Sequence, residues 1–489
     1  MNRRPHAVRV PVWLVPVPWT LALGLWGLSR QRSVWRDEAA TWQVARRSVP
    51  GIWHMLGHID AVHGLYYLLM HGLFGCFGAG TTTLRLPSVL AMAVAAACVA
   101  AMGERLAGRW AGIGGGTAFG LLPAVQFHLQ EGRPYALVAA GAAISTLLLV
   151  GALQDGGRRW PAYGGVVMVT ALLNWLSLLI LPAHLLTVLW AGAGRGTVTR
   201  WAAASAVAVA GALPLILVSR TQSAQVAWIP PTTWHMVIGP VVLVAIGALA
   251  ALAGRPAAGR LPVAAVGLPL LAVPQFGLVG LSLVQPLLLD RYVLFSMLGL
   301  ALLIGAALDA AVRAAAPRFP RAAPWLVPVA LATAMAALLP QSLATRSWDS
   351  RVDDVRAVTG EVRRLKQTGD AVLFIPVARR DSALVCPDDF AGLRDIALVR
   401  DPVASGTLSG EEAAAERIRS AMLAQRRILL VTDAAPAGRP TPRDRAKSAV
   451  LARYFTVVAD RRARGRRVTV YERNRQGPPA RHAPRGGRA

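Results

Sequence analysis

Carboxylates are scarce in this chain. Its 489 residues hold 25 Asp and Glu against 52 Lys and Arg, so the formal net charge is +27. Up to residue 341 the acids are only Asp37, Glu38, Asp60, Glu104, Glu131, Asp155, Asp290 and Asp309. Charge of either sign is sparse, at 16% of residues, while 54% are hydrophobic and the mean hydropathy is +0.45. That balance excludes an ordinary soluble core and points to many lipid-facing spans. Cysteine is nearly absent as well: Cys76, Cys98 and Cys386 are too few and too far apart for a disulfide framework or a cysteine metal cluster. A basic chain raises nucleic acid as a partner, but here the arginines sit in short loops between apolar runs and in the C-terminal tail. Membrane topology accounts for them, and no nucleic-acid partner is expected. The run from Pro11 to Leu28 follows Arg3, Arg4 and Arg9 like the opening of a signal peptide. No small-residue cleavage site comes before Arg30, so it reads as a retained signal-anchor helix.

Runs long enough to cross hydrocarbon, roughly 17–22 residues each, fall at 11–28, 84–102, 110–128, 134–152, 161–177, 178–194, 200–219, 234–253, 262–283, 291–310 and 322–341. The segment 64–79, with His71 and several glycines, is shorter. Arginine placement decides how to count it. If it is interfacial, one side receives Arg105 and Arg109, Arg158 and Arg159, Arg195 and Arg200, Arg255 and Arg260, and Arg313, Arg318 and Arg321. That side is then cytoplasmic. The expectation is an α-helical polytopic membrane protein of about eleven transmembrane helices, multi-pass in the cell (plasma) membrane. Its N-terminus is cytoplasmic, and its large first external loop covers 29–83. A split at 177/178 is required; a single helix there would invert everything downstream.

The composition changes at about residue 345. "VDDVRAVTGEVRRLKQTGDAVLFIP" reads as helix, Gly-Asp turn and buried strand, "EEAAAERIRSAMLAQRRILLVTD" repeats helix and strand, and "YFTVVAD" and "VTVYER" read as further strands. This predicts a small external α/β domain over 345–473 behind a transmembrane domain over 1–344, with a disordered basic tail over 474–489.

On this topology Glu104, Asp155 and Asp309 balance cytoplasmic arginines, and Asp37, Glu38, Asp60, Glu131 and Asp290 share the external face with Trp35, Arg36, Trp42, Arg133, Tyr135, Arg291 and Tyr292. Loops from distant segments thus converge on one side, as a site built between spans requires. Simpler roles exist for each group. Trp35 and Trp42 suit an aromatic belt, Asp37 and Glu38 suit a helix cap, Glu131 and Arg133 suit a solvated turn, and Arg291 and Tyr292 suit a helix-end anchor. His54 and His58 have the i, i+4 spacing of a helical ligand pair without a defined acid in the pattern, so no cofactor is assigned and a divalent metal is left open there.

"WRDEAAT" (35–41), "HGLYYLLMH" (63–71), "LRLPSVL" (84–90) and "LQEGRPYAL" (129–137) occur in that order, followed by "DRYVLF" (290–295). This pattern resembles the GT-C superfamily of integral-membrane glycosyltransferases. The branch it resembles holds the protein O-mannosyltransferases and the aminoarabinose transferase that modifies lipid A. It departs from that branch in lacking a Pro-Pro after His63, where the stretch to Tyr66 is a residue shorter. The resemblance implies a GT-C-like fold and an inverting transferase (mannosyl, another hexosyl, or pentosyl). Such an enzyme moves sugar from a polyprenyl-phosphate donor to a hydroxyl of a protein, glycolipid or polysaccharide of the cell envelope. It implies that Asp37 is the base, with Glu38 positioning the acceptor or capping. Arginines suit a lipid-linked phosphate because their fork matches its oxygens. Arg133 and Arg291 are the candidates, then Arg36 and Arg85, with Glu131 orienting Arg133 or bonding the sugar. Tyr135 and Tyr292 flank these arginines, and His63, Tyr66 and Tyr67 would line the entrance. The competing classes are a polytopic transporter or lipid flippase and a membrane-anchored scaffold. No two-fold repeat supports a carrier.

Overall fold

A computed structural model describes residues 11–29, 33–156, 158–253, 261–347, 350–435 and 439–474. The N-terminal arginines, Arg30, Arg255, Arg260 and all but the first residue of the 474–489 tail lie outside the described residues. The chain forms two compact units, Met1–Gln31 with Asp60–Ser347, and Arg32–Ile59 with Trp348–Ala489. The first external loop expected over 29–83 is therefore shared between them.

The first unit is helical. Among the described residues seven helices are long and apolar enough to cross a membrane: Thr81–Leu106, Tyr135–Asp155, Arg195–Thr221, Trp234–Ala253, Val263–Ser282, Asp290–Ala315 and Ala323–Arg346. The runs at 11–28, 161–177 and 178–194 form the shorter apolar helices Val12–Leu25, Trp160–Leu173 and Trp175–Trp190, and Ala61–Phe77 is another. The run at 110–128 is two helices, Arg109–Leu121 and Pro123–Leu129, because Pro123 has no N–H to continue the ladder. The hairpin expected at 177/178 breaks earlier, at Asn174, whose side-chain oxygen accepts from Leu176 N and starts a new turn. Small residues let the inner helices approach closely. A Cβ on Gly115 would lie 2.9 Å from the carbonyl of Ala301, and one on Gly103 would lie 2.8 Å from that of Ala111. At one end of the bundle Asp155 pairs with Arg159 (2.8 Å) and Arg105 (3.7 Å), and Asp309 pairs with Arg313 (2.8 Å). These are two of the three acids that the sequence assigned to balancing arginines.

The second unit is an α/β sandwich. Strand Ala371–Ile375 runs parallel to Arg394–Asp395 on one side and to Arg427–Asp433 on the other; Arg466–Arg473 and Phe455–Ala463 continue the sheet antiparallel. Apolar residues alternate between its faces. Ala371, Leu373, Ile428 and Leu430 pack on helices Ala415–Leu423 and Pro442–Tyr454. Val372, Phe374, Leu429, Val431, Val468 and Val470 pack on helix Val355–Leu365. Gly369, at φ +89°, makes the turn that no side chain would favour before the first strand.

Helix Arg36–Ala45 belongs to this unit and packs on helix Asp381–Val385. Its N-cap, Trp35, has no capping side chain. Asp353 supplies one from far along the chain: its Oδ1 accepts from Arg36 N at 3.0 Å, and Val355 N donates to Val34 O at 2.7 Å. Asp353 is in turn held by the buried Arg466, which donates to Asp353 Oδ2 (3.0 Å) and to Asp381 Oδ1 and Oδ2 (2.5 and 2.7 Å). Burial opposes the Arg466 charge, but Asp381 and Asp353 outweigh it and hold the guanidinium above its ordinary pKa. Arg466→Met takes from two buried acids the cation they share and leaves each only a longer pair, Arg36–Asp353 and Arg379–Asp381, both at 3.6 Å. It is expected to cost about 3–5 kcal/mol, read as a lowered unfolding midpoint of the full chain.

Candidate active site

Asp37 and Glu38 occupy the first turn of helix Arg36–Ala45, where unpaired N–H groups and the helix dipole favour negative charge. They are not equivalent. Glu38 is fully buried, whereas Asp37 is half-buried and so remains accessible to a substrate. Asp353 anchors Arg36 through its backbone and through an ion pair of 3.6 Å, which sets the start of the helix and hence the placement of Asp37. Trp35 and Trp42 are buried inside the protein, with Arg351 5.8 Å and Arg356 5.0 Å from their rings. Their burial replaces the aromatic-belt alternative with a packing role. His58 Nδ1 lies 2.8 Å from His54 O, and the two rings meet edge-on at 4.8 Å. Among the described residues no group of three or more His, Cys, Asp or Glu converges as a metal site.

The first unit holds the other candidates. Asp60 adopts φ +62°, a left-handed conformation that Asp tolerates better than most residues. It aims its carboxylate back at helix Gly64–Phe77. Oδ1 is 2.7 Å from His63 Nδ1, and the Tyr67 hydroxyl donates to Oδ2. Arg133 Nη2 meets His63 Nε2 at 3.0 Å. A guanidinium only donates, so Nε2 accepts and His63 carries its proton on Nδ1, facing Asp60. All four side chains are buried or nearly so. Burial pushes Asp60 up, but His63, Arg133 and Tyr67 outweigh it and hold the carboxyl below its ordinary value. Burial, reinforced by Arg133 and opposed by Asp60, holds the His63 imidazole below its ordinary value and so neutral.

Both shifts make acid destabilising. A base held low in the fold binds its proton first in the unfolded chain, so stability is lost as pH falls below the unfolded value of 6.5 toward the folded pKa. A depressed acid adds a further loss as pH falls below 3.8 through its folded pKa. Thermal unfolding across roughly pH 3–7 is expected to show this acid limb. In Asp60→Asn the segment below pH ~4 should flatten.

The turn after helix Pro123–Leu129 brings in the next group. Gln130 donates to the carbonyls of Gly24 and Trp26 (both 2.8 Å), Ser88 Oγ donates to Glu131 O (2.5 Å), and His128 pairs with the buried Glu131. Glu131 is therefore not a solvated turn residue. Tyr135 opens the following helix, and its ring centroid lies 6.0 Å from that of Tyr292. The Arg291 guanidinium sits over three rings, Tyr135 (5.6 Å), Tyr292 (5.8 Å) and Trp228 (5.9 Å). Arg85 and Tyr66 are buried in their helices.

The first unit thus brings together His63, Tyr67 and Arg133, with Glu131, Tyr135, Arg291 and Tyr292 around them. Arg36, Asp37 and Glu38 belong to the second. Sequence reasoning missed Asp60 as a site residue, though it marked the acid. It also missed His128, three residues before Glu131, and Trp228, which no motif signals. An open groove of ≈ 620 Å³, counting space open to solvent, runs from His63 past Asn174, Gln222 and Gln285 to Tyr292.

The bundle of apolar helices and the α/β unit make up a GT-C-like fold. No protein-family model and no curated protein sequence matches the chain. Among solved structures it is similar to ArnT from Cupriavidus metallidurans. In the apo state the TM-score is 0.60 at 15% identity, over 94% of this chain and 97% of that one. Bound to undecaprenyl phosphate it is 0.57 at 14% identity, over the same shares of 94% and 97%.

Proposed function

We propose that the chain is an inverting glycosyltransferase that takes a sugar from a polyprenyl-phosphate donor and places it on an acceptor hydroxyl at the external membrane face. The observation that carries this reading is the buried Asp60–His63–Tyr67–Arg133 network beside Arg291 and its aromatic wall, set in a helical bundle. Fixed cations next to apolar surface suit a phosphate that arrives on a lipid tail. The likeness to a fold that holds undecaprenyl phosphate in ArnT supports the same ligand class.

The chemistry needs little more. The donor is a phosphodiester whose lipid phosphate leaves with the anomeric C–O bonding pair, so no general acid is required. The acceptor oxygen forms the new glycosidic bond from the opposite face, and its proton passes to the Asp37 carboxylate. The released lipid phosphate gains a negative charge, and Arg133 and Arg291 neutralise it. Arg36 and Arg85 are secondary phosphate candidates. Glu131, His63, Tyr66, Tyr67, Tyr135 and Tyr292 shape the donor site. Glu38 is the buried support of the helix turn that presents Asp37. The N-terminus is cytoplasmic and the α/β domain external in this reading. The acceptor is a protein, glycolipid or polysaccharide of the cell envelope.

Reconstituted protein distinguishes transfer from transport. A glycosidic product with release of free polyprenyl phosphate is expected. Movement of the lipid-linked sugar across the bilayer with no new glycosidic bond would establish the flippase alternative instead.

A further inference from the structure

We propose that the groove beside His63 holds the sugar ring of the donor and selects an uncharged, hydroxyl-bearing sugar. This rests on the transfer reading above and names the substrate class that reading leaves open. The groove is lined by Asn174, Gln222, Gln225 and Gln285, with Trp175 in its wall. Carboxamides are neutral and offer donors and acceptors at once, the mixture that vicinal hydroxyls present. An aromatic face beside them suits the apolar C–H surface of a sugar ring.

Asn174 and Gln222 are held in place. Asn174 Oδ1 accepts from Leu176 N at 3.0 Å. Gln222 Oε1 accepts from Ala61 N at 2.9 Å and from Gln225 Nε2 at 3.4 Å. Asn174 and Gln222 therefore have oriented N–H donors, and Gln222 is fixed to the turn that carries Asp60 and His63. His63 is common to the groove and to the Arg133 contact, so a phosphate at Arg133 places the attached ring at the groove mouth.

The charge pattern argues against an amino sugar. Among the described residues that line the groove there is no carboxylate, while Arg220 stands exposed at its rim. Asp60 is engaged by His63 and Tyr67. A sugar ammonium would lose water there without gaining an anion, and burying an unpaired charge is costly.

The test uses the full chain in lipid nanodiscs and three probes: undecaprenyl phosphate, its mannosyl derivative and its 4-amino-4-deoxypentosyl derivative. Wild type is expected to bind the mannosyl lipid about tenfold more tightly than the other two, the equivalent of one or two hydrogen bonds. Gln285→Leu and Asn174→Leu should each cut that ratio by about 5–10-fold. Asn174→Leu also removes a backbone cap, so Gln285→Leu decides if the former fails to fold. Gln285→Glu supplies the missing anion and should turn the preference toward the amino sugar. Equal binding of the two glycosyl lipids, a wild-type preference for the amino sugar, or a ratio unchanged in Gln285→Leu overturns the groove assignment alone. If undecaprenyl phosphate does not bind at all, the lipid-phosphate reading falls and takes the groove with it.

Discussion

Asp37→Asn is expected to lower the rate of sugar transfer by about 10²–10⁴-fold, the contribution of a positioned general base. The substitution keeps the shape of the side chain and removes its capacity to take a proton. Folding should survive, because the start of helix Arg36–Ala45 is held by Asp353 through the Arg36 backbone rather than by Asp37. The loss should appear in kcat, with KM for the lipid donor little changed, since Asp37 acts on the acceptor proton in the transition state. Glu38 gives the contrast. It is fully buried in the same turn, so Glu38→Gln is expected to lower the unfolding midpoint as well as the activity. Wild-type rates in purified, folded Asp37→Asn would remove Asp37 from the mechanism.

Arg133→Met should weaken binding of undecaprenyl phosphate by about 10²-fold or more. Arg133 is buried, contacts His63 and lowers the Asp60 carboxyl through its charge. Its removal takes away a phosphate donor and also leaves Asp60 buried without a cation, a change worth about 3–5 kcal/mol. Arg133→Lys restores the charge but not the planar fork, so it should recover stability more fully than affinity. Equilibrium binding and thermal unfolding on the same samples separate these effects. Unchanged affinity in Arg133→Met would place the phosphate elsewhere, with Arg291 the next candidate.

Much of the fold was legible because its signals are local. Long apolar runs gave the seven long helices, and the short continuous apolar runs within "DAVLFI" and "RILLVTD" gave two strands with both faces buried. Helix interruptions were harder to see. Hydropathy is continuous through 161–194, and the break falls where one polar side chain, Asn174, caps a new turn. Proline was no guide: Pro123 ends a helix, yet Pro87, Pro214 and Pro240 sit inside helices that continue. The assignment of Arg32–Ile59 to the second unit was not legible. The association of Arg32–Ile59 with the C-terminal unit depends on Asp353 and Arg466, whose pairing joins residues far apart in sequence.

The candidate site was legible as residue types, not as a network. Arg133, Glu131, Arg291 and the tyrosines stood out as polar groups at the ends of apolar runs. Asp60 was one isolated acid until its left-handed backbone turned it toward His63 and Tyr67. Gln222 belongs to no motif, and its role depends on reaching the backbone of Ala61.

The central claim is that this chain makes a glycosidic bond from a lipid-phosphate donor. The most direct measurement is mass spectrometry of the products when purified full-length protein is incubated with undecaprenyl-phosphate-linked sugar and a cell-envelope acceptor fraction, with Asp37→Asn run in parallel. The account predicts one added sugar residue per modified hydroxyl and an equal release of undecaprenyl phosphate, both lost in the variant. Donor that is bound and consumed with no sugar on any acceptor, or equal product from Asp37→Asn, would contradict it.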